Sequence, residues 1–142
     1  MVIAGATAAV EAAAEACREA GARRAVLLPV SGPFHCELMR PAQDAFADVL
    51  GGIDLVMPGI PIVHNVDGKI APDLDTLRAK LMAQIAEPVL WTRCAQNIIG
   101  AGVTRLVECG PGKVLSGLVK RIDKSVPAES LGTLDGLRAA LG

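Results

Sequence analysis

The segment RLVECGPGKVLSGL, residues 105–118, decides the fold class because it joins a short apolar strand to a helix through a glycine turn. Residues 105–109 have the apolar character of a strand, and the Gly-Pro-Gly of residues 110–112 turns the chain sharply. The apolar residues of the predicted helix are expected to form its buried side: Val114, Leu115, Leu118, Val119 and Ile122. A strand followed directly by a helix indicates a layered α/β protein.

The same alternation of strands and helices extends in both directions along the chain. Apolar runs predict strands at Val2–Ala4, Ala25–Val30, Ile60–Val63, Arg105–Cys109 and Val126–Leu131. Helical periodicity predicts helices from an N-cap at Thr7 to Gly21, from Ala42 to Leu50, from Leu74 to Glu87, from Trp91 to Gly100 and from Leu134 to Leu141. The continuous run at Ala25–Val30 is typical of a strand buried on both faces. We therefore predict an α/β fold with mainly parallel strands.

Composition excludes several classes of function. A hydrophobic content of 51% is too high for a disordered chain. The 14 Lys and Arg residues do not exceed the 15 Asp and Glu residues, and aromatic residues make up only 2%, so no nucleic-acid partner is expected. No apolar run approaches the roughly 18 residues that cross a bilayer, so no membrane partner is expected either. The first residues lack the features of a secretory signal, which predicts a cytoplasmic protein.

The four cysteines indicate neither a metal site nor a disulfide framework. Cys17, Cys36, Cys94 and Cys109 are widely and unevenly spaced, without a C-x-x-C pair. We interpret them as reduced, mostly buried thiols. No metal and no cofactor is expected.

The two histidines are the first candidates for acid–base chemistry. His35 follows the end of the predicted strand at Ala25–Val30, just past a Gly-Pro turn, and ligands collect at this edge of an open α/β sheet. His64 also follows a strand end, beside Asn65 and a turn. A structural role stays open for both residues. The chain has no G-x-S-x-G nucleophile motif, so its serines are interpreted as caps or surface groups.

Two further motifs favour structural roles. The Gly-Pro-Gly-Lys of residues 110–113 resembles a phosphate loop, but the Walker pattern needs a glycine where Val107 stands and a Ser or Thr where Val114 stands. Cys36 adjoins His35, yet a reactive thiolate also needs a shaped pocket. An unrelated hydrolase that uses Cys36 is therefore the least favoured hypothesis.

Four sequence blocks, in order, carry a resemblance to a known family. They are LPVSGPFHCELMRPA (residues 28–42), PIVHNVD (61–67), QIAEPVLW (84–91) and ECGPGKVLSGL (108–118). Together they resemble the carboxyl-terminal part of the malonyl-CoA:acyl-carrier-protein transacylases, acyltransferases of fatty acid biosynthesis and lipid metabolism. The resemblance covers almost the whole chain.

The resemblance implies a ping-pong reaction in which a serine takes malonyl from CoA and passes it to the phosphopantetheine thiol of acyl carrier protein. It places the catalytic base at His35 and the backbone carbonyl that orients this base at Gln84. It suggests a cleft position for Asn65 and a position for docking the carrier protein at Arg40. Malonyl-CoA and acyl carrier protein would be the substrates of the full enzyme.

The resemblance also implies how the chain is divided. Residues 1–32 would be a remnant of a ferredoxin-like small subdomain, and residues 33–142 the carboxyl-terminal half of a hydrolase-like large subdomain. In the family, the serine precedes the point that matches the start of this sequence. We therefore expect a fragment that is inactive alone and that self-associates through an unpaired sheet edge. The alternative function is a non-catalytic module that binds carrier protein.

Overall fold

The computed structural model describes residues 1–141, in which helices predominate; the predicted alternation of strands and helices is present only from residue 106 onward. In chain order the elements are α1 (Thr7–Glu19), a 3₁₀-helix (Glu37–Met39), α2 (Arg40–Gly51), α3 (Leu74–Ala83), α4 (Trp91–Gly100), β1 (Leu106–Glu108), α5 (Val114–Ile122), β2 (Ala128–Ser130) and α6 (Leu134–Leu141).

Strands β1 and β2 pair in parallel, with Val107 opposite Glu129, and α5 lies between them in sequence. The turn between β1 and α5 depends on glycine, because Gly110 has φ +127° and Gly112 has φ +98°. The structure thus confirms the strand, turn and helix predicted for residues 105–118. The predicted buried side of the helix is only partly correct, because Val119 is buried whereas Val114 and Leu115, in its first turn, are exposed. The structure also confirms the α/β class, with a small parallel sheet.

The chain divides into two compact units. The first comprises residues 1–66 and 70–89, and the second comprises residues 67–69 and the chain from residue 90 onward. The predicted division after residue 32 describes subdomains of a longer enzyme, and it stays a prediction.

In the first unit, α2 packs against α3 around Leu50 and Leu77, both of which are buried. Arg78 of α3 donates hydrogen bonds to the carbonyls of Leu50, at 2.6 Å, and Ile53, at 2.8 Å. These bonds join α3 to the last turn of α2 and to the turn that follows it. Asp73 caps α3 by accepting a hydrogen bond from the Thr76 amide at 2.7 Å. The two helices therefore hold the segments that follow them.

The strand prediction at Ala25–Val30 is wrong. The segment has no strand partner within residues 1–141, and its apolar side chains are more than half exposed, for example Val26 at 56% and Leu28 at 55%. Val2–Ala4 likewise forms no strand, and Val63 makes only an isolated antiparallel bridge with Ile70. A strand needs a neighbour to take its backbone hydrogen bonds, and apolar composition does not supply one.

Smaller corrections concern helix ends and cysteines. The N-cap of α1 is Ala6 and makes no side-chain cap hydrogen bond, so Thr7 is the first helical residue. Helix α3 ends at Ala83 instead of Glu87, because the chain passes into turns before Pro88. The cysteines are free thiols, but Cys17 and Cys109 are exposed, contrary to the expectation of mostly buried thiols.

The helices in the described part of the chain are short. None of them combines the length and the apolar character that crossing a membrane requires.

Candidate active site

His35 occupies a sharp corner between the extended segment 25–30 and helix α2. Its backbone has φ 62°, which lies in the left-handed region that residues other than glycine rarely adopt. The neighbouring Cys36 thiol donates to the carbonyl of Pro33 at 3.1 Å, which helps to close the corner. His35 is exposed. The corner therefore presents the ring and holds the Cys36 sulfur in a structural contact.

The imidazole of His35 lies against the backbone carbonyl of Gln84, which is 49 residues away in sequence, with Nδ1 2.9 Å from the carbonyl oxygen. A carbonyl oxygen can only accept a hydrogen bond, so this contact requires the proton to be on Nδ1. Nε2 then carries the lone pair and can accept a proton. The arrangement orients a neutral base without placing a second charge beside it.

The segment that carries the Gln84 carbonyl is well ordered by turns after α3. The Gln84 amide donates to the carbonyl of Lys80 at 3.0 Å, and the Glu87 amide donates to that of Ala83 at 2.9 Å. The adjacent carbonyl, that of Ile85, accepts a hydrogen bond from the backbone N–H of His35 at 3.3 Å. The histidine therefore contacts this segment through both its backbone and its ring.

Arg40, the first residue of α2, is held by two carboxylates. Its guanidinium donates to both oxygens of Glu37 at 3.0 Å, to Glu87 at 2.6 Å and to Gln43 at 3.2 Å. The hydrogen bonds from Arg40 lower the pKa of Glu37 below its usual value. The positive charge of Arg40 is therefore engaged inside the molecule, and its predicted role in docking a carrier protein stays a prediction.

Asn65 and Gln84 line the same open cleft, of about 430 Å³, with apolar walls that include Leu77 and Leu81. Within residues 1–141, Oδ1 of Asn65 is buried and has no hydrogen-bond partner. His64 is buried with only 6% of its surface exposed and also lines this cleft. The structure thus brings Asn65 near Gln84, and the role of Asn65 stays a prediction.

Most serines of the chain have structural partners. Ser116 donates to the carbonyl of Lys113 at 3.3 Å, and Ser125 donates to the Asp123 carboxylate at 2.6 Å. Ser130 donates to the carbonyl of Gly112 in the turn before α5. These contacts agree with the interpretation of the serines as caps and turn groups.

The glycine turn before α5 does not offer an open anion site. The amides of Leu115 and Ser116, at 3.0 and 2.9 Å, donate to the carboxylate of Glu108 at the end of β1. These backbone hydrogen bonds lower the pKa of Glu108. An acidic side chain of the protein therefore occupies the place that a phosphate would take at a helix N-terminus. In the described part of the chain, no three His, Cys, Asp or Glu side chains cluster as a metal site would need.

The candidate site therefore combines a histidine held by a main-chain carbonyl with an α/β scaffold. The chain is 48% identical over 141 residues to the malonyl CoA-acyl carrier protein transacylase of Salmonella typhimurium, covering 99% of the chain and 46% of that relative. It is 46% identical over 141 residues to the protein of the same name from Escherichia coli K12, with the same coverage. The chain thus spans less than half the length of these relatives. No family model matches it.

Solved structures agree with the sequence relatives. The malonyl-CoA:acyl carrier protein transacylase of Xanthomonas oryzae superposes with a TM-score of 0.90 at 44% identity, over 95% of this chain and 43% of that one. A malonyl-transacylase in complex with its type II PKS acyl-carrier protein superposes with a TM-score of 0.90 at 45% identity, over 95% of this chain and 44% of that one. The chain matches the carboxyl-terminal part of the malonyl-CoA:acyl carrier protein transacylases.

Sequence reasoning missed Glu87 as a partner of Arg40. The two residues are 47 positions apart, and no local pattern connects them. It also missed the Glu108 carboxylate at the start of α5. A signal was present there, because an acidic residue ends the strand that leads into the glycine turn.

Proposed function

We propose that this chain supplies the general base for the transfer of malonyl from malonyl-CoA to the phosphopantetheine thiol of acyl carrier protein. The single observation that carries the proposal is the 2.9 Å contact between Nδ1 of His35 and the carbonyl oxygen of Gln84. The matching relatives, which are named for this reaction, support it.

In the first half-reaction, Nε2 of His35 takes the proton of a serine hydroxyl while the serine oxygen attacks the malonyl thioester. The carbon–sulfur bond to CoA breaks, and the imidazolium returns its proton to the CoA thiolate. In the second half-reaction, Nε2 takes the proton of the phosphopantetheine thiol, whose sulfur attacks the malonyl ester. The serine leaves and recovers the proton. The serine would come from residues outside these 142, since no G-x-S-x-G is present here.

The remaining family features belong to the same proposal. Residues 1–32 would derive from the ferredoxin-like subdomain, and residues 33–142 from a hydrolase-like body. Asn65 would line the acyl cleft, which its position beside Gln84 in that cleft supports. The alternative, a non-catalytic module that binds carrier protein, has less support because the Arg40 charge is already paired with Glu37 and Glu87.

The experiment uses a hybrid in which this chain replaces the matching carboxyl-terminal part of the Escherichia coli relative. We expect the hybrid to transfer malonyl to acyl carrier protein, and His35→Ala to lower kcat/KM by about a hundred- to ten-thousand-fold. Cys36→Ser is the matched control at the neighbouring position and should retain activity. The unchanged 142-residue chain alone should form no covalent adduct with labelled malonyl-CoA.

Two outcomes would contradict the proposal. One is a folded His35→Ala hybrid that transfers malonyl as fast as the unmodified hybrid. The other is a stable malonyl ester or thioester on the 142-residue chain, because that would require a nucleophile within it.

A further inference from the structure

The ion pair between Arg40 and Glu87 joins the two segments that meet at the candidate base. Arg40 begins α2, five positions after His35, and Glu87 lies three positions after Gln84 in the turns that follow α3. The 2.6 Å contact between their charged groups therefore joins the same two segments as the contact between His35 and Gln84.

The His35 corner needs such support. Its φ of 62° is unfavourable for a side chain with a Cβ, so neighbouring contacts must hold it. The backbone hydrogen bond from His35 to the Ile85 carbonyl is long, at 3.3 Å. Ala86, between Ile85 and Glu87, is 3% exposed, which anchors the opposing segment in the first unit. The anchored segment thus offers Glu87 as a fixed point for the corner.

Arginine suits this position because its planar guanidinium can bind two carboxylates at once. The contacts with Glu37 and Gln43 stay within the region of the 3₁₀-helix and α2, and they orient the guanidinium. Only the contact with Glu87 crosses to the segment of Gln84. The two carboxylates that bind Arg40, those of Glu37 and Glu87, therefore have separable roles.

We propose that Arg40 and Glu87 are positioning residues that hold the Gln84 carbonyl against Nδ1 of His35. Neither residue touches a reacting atom. Their effect is to keep the imidazole in the tautomer with the proton on Nδ1. The importance of that tautomer for catalysis rests on the proposed function, whereas the geometry can be measured independently of it.

The test measures the tautomer of His35 directly. The 142-residue chain contains only two histidines, His35 and His64, so ring ¹⁵N labelling gives two sets of signals. Magic-angle-spinning NMR of the sedimented chain reads each tautomer from the ¹⁵N shifts, whatever the size of the particles. Spectra are recorded at a pH where the rings are neutral.

Glu87→Gln should lower the ratio of the Nδ1-H to the Nε2-H tautomer of His35 by about two- to fivefold, the range expected for a partly exposed ion pair. Glu37→Gln is the matched control. It removes the other carboxylate that binds Arg40 and keeps the ion pair between Arg40 and Glu87, so it should change the ratio less. The His64 signals should stay unchanged in both variants. In the Glu37→Gln background, the charges can be exchanged by Arg40→Glu together with Glu87→Arg. This exchange should restore the tautomer ratio that Glu87→Gln lowers.

Three results would overturn the positioning role: equal ratios in the unchanged chain and Glu87→Gln, an equal effect of Glu37→Gln, or a predominant Nε2-H tautomer in the unchanged chain. The kinetic consequence is measured separately in the hybrid enzyme, where Glu87→Gln should lower kcat and leave KM unchanged. A shifted tautomer with unchanged kcat would support the positioning role and contradict His35 as the base.

Discussion

The backbone of His35 is in the left-handed region, with φ 62°, and this makes position 35 unusual at the scale of a single residue. A residue with a Cβ pays about 1 kcal/mol or more in this conformation, whereas glycine does not. At position 35, glycine should therefore be more stabilising than alanine, the reverse of their usual order within a helix.

We predict that His35→Gly is more stable than His35→Ala by about 1 kcal/mol, measured as the free energy of unfolding in urea. The control is Ala45→Gly on the exposed side of α2, where glycine should destabilise the chain by about 1 kcal/mol. Greater stability of His35→Ala would show that the residue does not have a left-handed backbone in solution.

The sequence predicts individual residues of the site unevenly. The sequence leads to His35 through a predicted strand end at a sheet edge, although the structure has no strand at residues 25–30. Gln84 follows only from the family resemblance, since a backbone carbonyl leaves no trace in residue type. The Arg40–Glu87 pair follows from neither, because partners 47 residues apart are brought together by the packing of α2 on α3.

At the scale of elements, helices are predicted better than strands for a physical reason. The hydrogen bonds of a helix are local, so the bounds of α4 and α5 follow from periodicity and glycine turns. A strand makes its hydrogen bonds to a neighbouring strand, which the local sequence does not identify. Strands β1 and β2, which α5 separates in sequence, pair with each other. The equally apolar segment at Ala25–Val30 pairs with no strand in the described chain.

The contact between Glu108 and α5 predicts a pH dependence of stability in the second unit. Amide donors of Ser116 and Leu115 stabilise the carboxylate, so its pKa in the folded chain is below the ordinary value of 4.5. The contribution is complete above the ordinary pKa and is lost as the pH falls through the lower, folded pKa. Stability should therefore decrease on acidification.

Glu108→Gln should remove this component, so that the melting temperature of the variant falls less steeply with decreasing pH than that of the unchanged chain. Glu129→Gln is the matched control on the neighbouring strand, where the carboxylate makes a half-exposed ion pair with Arg105. It should preserve the Glu108 component. Identical pH profiles for Glu108→Gln and the unchanged chain would show that the helix amides do not hold this carboxylate.

At the scale of the whole molecule, many large apolar side chains of the described residues are exposed. Val26, Leu28, Val56 and Ile60 have exposed fractions of 56%, 55%, 76% and 78%. The first two belong to segment 25–30, which pairs with no strand in the described chain, although the Leu28 carbonyl accepts from the Val30 N–H at 2.9 Å and the Ala25 carbonyl accepts from Arg18 at 3.2 Å. An apolar segment without a strand partner promotes association with another chain. The chain covers 46% of its relatives' length, so more than half of those proteins has no counterpart here.

We predict that the 142-residue chain self-associates, with sedimentation velocity showing species larger than the 14.6 kDa monomer. The double variant Val26→Lys and Leu28→Lys should shift the distribution towards monomer, because charges on an exposed extended segment oppose edge pairing. Ala8→Lys with Ala12→Lys is the matched control: it adds the same charge on exposed positions of α1 and should leave association unchanged. A single monomeric boundary for the unchanged chain would show that these apolar side chains do not drive association, and an equal effect of both double variants would assign the change to net charge alone.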